Sequence, residues 1–249
     1  MIKRVVLFLD DGDVISDNRR RAAQWQKLLG EFLPPVLGGS AAAWGEANYR
    51  LISTYSGAYL EDLLLRAGGD FWAFRRLEQV EWMRRMCEYV GVPVPPEEQC
   101  LEVAERAWRH VIPKLRPAFP GALEAIRRLR AMGYDLHTAS GDLSDQLELY
   151  LAALGVRYCF GRLYGPDLVG VLKTGPEFYQ RVFADAGVPP VQAVVVDDKP
   201  QCVAWAQEVG ARGVLVGAAE RVGAPAPAQG PVLCLASLAD LPSAIGTLG

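Results

Sequence analysis

Two apolar runs in this chain each stop abruptly on a pair of acids, and this pattern restricts what the chain can fold into. Arg4-Val5-Val6-Leu7-Phe8-Leu9 runs into Asp10-Asp11, and Ala193-Val194-Val195-Val196 runs into Asp197-Asp198. Apolar runs without alternation read as strands buried on both faces, as in a parallel sheet covered by helices. Tyr134 to Ala139 and Gly213 to Val216 are further strand candidates. Helical spacing marks Ala122 to Met132, Pro176 to Ala186 and Gln201 to Val209, the last followed by a C-capping Gly210. The expected fold class is α/β, a doubly wound (Rossmann-like) parallel sheet.

Residues 19 to 116 have another texture, rich in Trp, Arg, Leu and Glu and poor in β-branched runs. Arg19–Leu33, Ala41–Ala67, Phe71–Val90 and Glu97–Val111 have helical spacing. Pro34-Pro35, Gly38-Gly39, Gly68-Gly69 and the stretch from Gly91 to Pro96 punctuate them. The expected organisation is a core of residues 1–18 and 117–249, with a helical insertion over 19–116. Trp25, Trp44, Trp72, Trp82 and Trp108 are expected to form the insertion's own core. Ala219 to Pro231 reads as a loop and Ser237 to Ile245 as a last short helix.

In an open α/β sheet the ligand site lies beyond the carboxyl ends of the strands. Asp10-Asp11-Gly12-Asp13 follow the first strand and Ser140-Gly141 the second; Lys173 precedes the helix at Pro176, and Asp197-Asp198 follow the third. Carboxylates that would otherwise repel point to a hard divalent cation, most simply Mg2+. Cation, lysine and hydroxyl together are what a phosphoryl group needs for positioning and charge neutralisation.

These segments resemble the four motifs of the haloacid dehalogenase (HAD)-like hydrolase superfamily. They are Val5 to Asp10, Leu136 to Ser140, Lys173-Thr174-Gly175-Pro176-Glu177-Phe178-Tyr179 and Val194 to Asp198, with Phe119-Pro120-Gly121 as a further family habit. The insertion is similar in position and helical character to the family's helical cap. The resemblance implies an Mg2+-dependent phosphatase or phosphotransferase acting on a small phosphorylated metabolite. Asp10 would be the nucleophile that forms an aspartyl-phosphate. Asp10, the Gly12 carbonyl, Asp198 and Asp197 would hold the metal. Ser140 with Gly141 would bind the phosphate oxygens, and Lys173 would stabilise charge.

The first motif departs from the family's Asp-x-Asp-Gly-(Thr/Val), whose second Asp is the general acid/base. With Asp10 as nucleophile, Gly12 takes the acid/base position and Asp13 the position of the usual Gly, while Val14, Ile15 and Asp17 keep their places. With Asp11 as nucleophile, Asp13 restores the spacing but the following residues slip by one. The strand and the downstream residues favour Asp10, and Asp13 is the candidate substitute acid. The fourth motif has Cys202 where an acid or Asn is common. Two alternatives follow from Gly12: a member that binds a phosphorylated ligand with little turnover, and a 2-haloacid dehalogenase, in which Asp attacks carbon and no acid is needed two residues on.

The charge balance, 26 basic against 29 acidic residues, gives no support to a nucleic-acid partner. No apolar run approaches the roughly 18–20 residues of a membrane span, no leader pattern opens the chain, and five scattered cysteines suit a reducing compartment. A cytoplasmic location is expected. His110 and His137 read as structural, and Arg19-Arg20-Arg21 as a solvated face from which one guanidinium is a candidate for a substrate anion.

Overall fold

The computed structural model describes residues 5–54, 58–217 and 232–248. The chain divides into two compact units, residues 1–18 with 116–249 and residues 19–115. The expected loop from Ala219 to Pro231 lies outside the described residues, as does Arg4.

The first unit is built on a six-stranded, all-parallel sheet of order β3-β2-β1-β4-β5-β6. Its strands are β1 (Val6–Leu9), β2 (Asp135–Ala139), β3 (Phe160–Tyr164), β4 (Ala193–Asp197), β5 (Arg212–Val216) and β6 (Val232–Leu235). The chain winds outward from β1 through β2 to β3, then crosses back to place β4 on the other side of β1. The carboxyl ends of β1 and β4 therefore flank the point where the winding reverses, which is where such sheets bind ligands.

Period-two alternation assigns each strand residue to one of two cores. Leu7 and Leu9, with Leu136, Val194, Val196 and Val214, pack with α7 (Ala122–Ala131), α8 (Ser144–Ala153) and α12 (Leu241–Ala244). Val6 and Phe8, with Ala139, Tyr164, Ala193 and Val195, face α10 (Pro176–Ala186) and α11 (Pro200–Glu208). Val14 and Ile15, just past β1, are sealed into the first of these cores.

The second unit contains α1 (Asn18–Phe32, from Arg19 onward), α2 (Pro34–Leu37), α3 (Ala41–Thr54), α4 (Ala58–Arg66), α5 (Phe71–Val90) and α6 (Glu97–Val111). Helix α5 starts where the Asp70 carboxylate accepts the Ala73 amide at 2.6 Å. It ends at Gly91, whose φ of 78° is the left-handed stop that glycine favours. α1 and α3 approach closely: a Cβ on Gly30 would lie 2.4 Å from the Ala41 carbonyl. The expected single helix 41–67 is described as α3 and α4, with 55–57 between them outside the described residues. The tryptophan expectation needs correction at one position: Trp44 is fully buried, but Trp72 is 61% exposed.

Strands β3 and β6 and helices α8 and α9 (Pro166–Val169) are elements the sequence reading passes over. β3 is a sheet edge whose Gly161 and Arg162 are exposed, so it lacks the continuous apolar run of the buried strands. The expected helix Ser237–Ile245 is broken into a 3-10 turn, the four-residue α12 and a second 3-10 turn. No described helix is long and apolar enough to cross a membrane.

Candidate active site

β1 brings Asp10 to the carboxyl edge of the sheet, where its amide extends the pairing by donating to the Val196 carbonyl at 2.9 Å. A tight turn follows. The amides of Ile15 and Ser16 both donate to the Asp11 carbonyl at 2.9 Å, and the Ser16 hydroxyl donates to the Asp11 carboxylate at 3.1 Å. Asp11 is fully buried and holds this turn together. Asp10 is the residue that joins the other acids.

One carboxylate oxygen from each of Asp10, Asp197 and Asp198 lies within 4.8 Å of the other two, and all three residues are buried. Lys173, from the turn before α10, enters this group with its ammonium 2.7 Å from Asp197 and 3.3 Å from Asp10. It also donates to the Ala139 carbonyl at 2.7 Å, at the end of β2. Three strand ends are thereby tied through one side chain. Burial opposes charge on Lys173, but Asp10, Tyr179 and Asp197 outweigh it and hold its pKa well above the ordinary value. Burial likewise raises Asp197 against the pull of Lys173. Asp197 spends its other oxygen on the Lys199 amide at 2.9 Å, at the start of α11.

The donor set fits a hard divalent cation. Its ligand atoms are carboxylate oxygens, and three carboxylates against one ammonium leave an excess of two negative charges.

Ser140 follows β2 and is 2% exposed. Its amide donates to the Tyr164 carbonyl at 3.0 Å and its hydroxyl oxygen accepts the Asp142 amide at 3.3 Å, leaving the hydroxyl proton available to a ligand. Gly141 beside it is exposed. Asp167 braces this loop from the neighbouring β3 end: its carboxylate accepts the Ser144 amide at 2.9 Å and also the Ser144 hydroxyl.

Asp13, the candidate substitute acid, does not join the carboxylate group. Both of its oxygens are occupied by Asn18, one by the backbone amide at 3.0 Å and one by the side-chain amide at 3.0 Å. Its φ is 55°, a left-handed conformation that Asp tolerates better than most residues. It thus caps α1 from the backbone geometry in which glycine is the usual residue. To act as the substitute acid/base, Asp13 would have to release these bonds to Asn18.

Two groups at the site carry no role in the sequence reading. The Tyr179 hydroxyl is buried with no hydrogen-bond partner among the described residues, and burial pushes its pKa well above the ordinary phenol value. The Cys202 thiol is pushed up to about 12, by burial first and then by Asp197, so it remains neutral. Tyr179 lies six residues after Lys173 on the buried face of α10, which was the available signal.

The family model for haloacid dehalogenase-like hydrolases matches residues 13–210. The chain belongs to this hydrolase family. Among solved structures, this HAD-like hydrolase is similar to the L-2-haloacid dehalogenase of Xanthobacter autotrophicus with chloropropionic acid covalently bound. The two are 18% identical over 99% of this chain and 100% of that one, with a TM-score of 0.64. It is also similar to a defluorinating L-2-haloacid dehalogenase (13% identity, 96% and 94% of the chains, TM-score 0.67). A third is a HAD family hydrolase from Deinococcus radiodurans R1 with bound phosphate and sodium (21% identity, 100% and 98% of the chains, TM-score 0.55). At these identities the likeness shows the fold. No curated protein matches the HAD-like chain in sequence.

Proposed function

We propose that this HAD-like hydrolase is an Mg2+-dependent phosphatase or phosphotransferase acting on a small phosphorylated metabolite through an aspartyl-phosphate on Asp10. The observation that carries the reading is the convergence of Asp10, Asp197 and Asp198 with Lys173 at the β1/β4 switch point. A metal-free site attacking carbon gains nothing from two further buried carboxylates, whose repulsion it would have to sustain.

Asp10, Asp198 and the Gly12 carbonyl would hold the cation, with Asp197 supporting them through Lys173. When bound, the cation supplies charge neutralisation and orientation for the phosphoryl group. Asp10 attacks phosphorus in line with the leaving oxygen and takes on the phosphoryl group. Lys173 keeps its proton and draws negative charge from the phosphoryl oxygens, in a site where low dielectric strengthens the attraction. The Ser140 hydroxyl and the amides of its loop hold the remaining oxygens. Release of inorganic phosphate from an aryl phosphate, measured with and without Mg2+, tests the proposal. It predicts metal-dependent turnover that disappears in Asp10→Asn.

A second reading is dehalogenation of a 2-haloacid, favoured by Gly12, since that reaction needs no acid there, and by neighbours that are themselves L-2-haloacid dehalogenases. Halide release from 2-chloropropionate in the presence of a chelator would establish it in place of phosphoryl chemistry. Binding of phosphate with no turnover of either kind would instead mark a ligand-binding member.

A further inference from the structure

The structure gives Gly12 a reason to lack a side chain. Its backbone is not in the left-handed region, so conformation alone would accept other residues. The constraint is space. A Cβ built on Gly12 would lie 2.9 Å from Asn18 Nδ2 and 3.2 Å from Asn18 Oδ1. The Asn18 carboxamide is also not loose, because Asp13 accepts from both its backbone and side-chain nitrogens. Gly12, Asp13 and Asn18 therefore form one interlocked unit. A neutral amide fills the volume that a side chain two residues beyond Asp10 would need, and the carboxylate of the next residue, Asp13, holds that amide.

An amide cannot donate a proton to a departing alkoxide at neutral pH. Asp11 is committed to Ser16, and Lys173 to Asp10, Asp197 and the Ala139 carbonyl. The position two residues beyond Asp10 thus carries no acid, and the carboxylates on either side of it, Asp11 and Asp13, are engaged in the turn. We propose that the site acts on phosphoryl compounds whose leaving oxygen departs as a stable anion without being protonated, namely acyl phosphates and phosphoanhydrides, rather than on alkyl phosphate esters. This inference rests on the phosphatase reading above.

The steps balance without an acid. An oxygen of Asp10 bonds to phosphorus as the bond from phosphorus to the leaving oxygen breaks. The electron pair stays on the departing carboxylate or phosphate, and no proton moves. Water then attacks phosphorus, the Asp10 carboxylate is regenerated, and both water protons leave with dihydrogen phosphate.

The test is a leaving-group series with Mg2+ on the intact chain: acetyl phosphate, pyrophosphate, dinitrophenyl, nitrophenyl and phenyl phosphate, and glycerol phosphate. General acid catalysis contributes about 10²–10⁴-fold, so without it kcat/KM should fall by at least about 10²-fold from the most to the least acidic aryl leaving group. Glycerol phosphate should be slower still. The faster of acetyl phosphate and pyrophosphate identifies which activated class the site prefers. In Gly12→Asp/Asn18→Ala, which restores an acid and clears room for it, the aryl series should flatten by about tenfold or more. A series already flat in the wild type, or glycerol phosphate turned over as fast as acetyl phosphate, overturns the inference while leaving the phosphatase reading intact. Absence of phosphate release from every compound, together with halide release from 2-chloropropionate, overturns both.

Discussion

The Lys173 ammonium stands 2.7 Å from the Asp197 carboxylate, in a pair almost closed to solvent at 6% and 0% exposure. Burying two charges is costly unless they compensate each other, and removing one partner leaves the other stranded, at about 3–5 kcal/mol. Here the stranded charge would be shared with Asp10, 3.3 Å from the same nitrogen. Lys173→Met is therefore expected to lower the thermal midpoint sharply. Mg2+ should restore more stability to this variant than it adds to the wild type, since only the cation then offsets three acids. Melting curves with Mg2+ and with chelator check this. A variant as stable as its parent in chelator would show that the ammonium does not neutralise the cluster.

Asp10 and Asp11 are adjacent in sequence and opposite in role. Asp11→Asn weakens the acceptor that Ser16 uses, and should cost about 1–3 kcal/mol of stability with phosphate release per folded molecule little changed. Asp10→Asn should keep the fold and reduce release to background. Comparing activity normalised to folded protein for the two variants separates the roles. Activity lost in Asp11→Asn and kept in Asp10→Asn would move the nucleophile to the second acid.

The sheet and its acid-terminated strands were legible because their information is local. A buried strand must be continuously apolar, and acids that end two such strands mark the edge where a site forms, although Asp11 among them serves the turn. The turn after β1 was legible only in part. Sequence shows Gly12 and Asp13 transposed relative to the family pattern, but gives no sign that Asn18 fills the vacated space, because that depends on φ of 55° at Asp13. The same holds for Asp167, whose brace on Ser144 spans 23 residues and depends on β2 and β3 being neighbours. β3 shows no buried-strand pattern, because it is an edge strand with Gly161 and Arg162 exposed.

His137 makes stability depend on pH. Its ring stacks on Phe8 at 5.4 Å, and its Nδ1 accepts the Arg162 amide at 2.9 Å, an arrangement open only to the unprotonated nitrogen. Burial lowers its pKa in the folded state. The unfolded chain then takes up the proton first as pH falls. The stabilising contribution is present above the ordinary histidine value of about 6.5 and is lost as pH drops through that value towards the folded one. Thermal midpoints for wild type and His137→Gln across this window should converge on acidification. His110, lowered by burial and by Lys114, acts in the same direction, so it must be kept constant in the comparison. A difference independent of pH would show that His137 does not titrate on unfolding.

Gly165 links the β3 end to the loop carrying Ser140 through space rather than through backbone conformation. Its φ of −123° and ψ of 177° suit any residue. A Cβ there would lie 2.2 Å from the Asp142 carbonyl and 2.8 Å from the Asp167 carboxylate. The backbone carbonyl cannot yield as a side-chain tip would, so Gly165→Ala must displace the loop carrying Ser140, Gly141 and Asp142. Overpacking of this kind costs about 1–3 kcal/mol. The catalytic effect should be larger, because a misplacement of about 1 Å at a positioning group can reduce rates by about 10²-fold. Gly246→Ala, where an added Cβ meets nothing within 4 Å, is the control for a glycine change in the same unit. With both variants normalised to folded protein, Gly165→Ala should lose kcat/KM by tens-fold (about 10–100) and Gly246→Ala should match the parent. Equal activities would mean that the Ser140 loop tolerates displacement and that phosphate positioning rests on Lys173 and the carboxylate cluster alone.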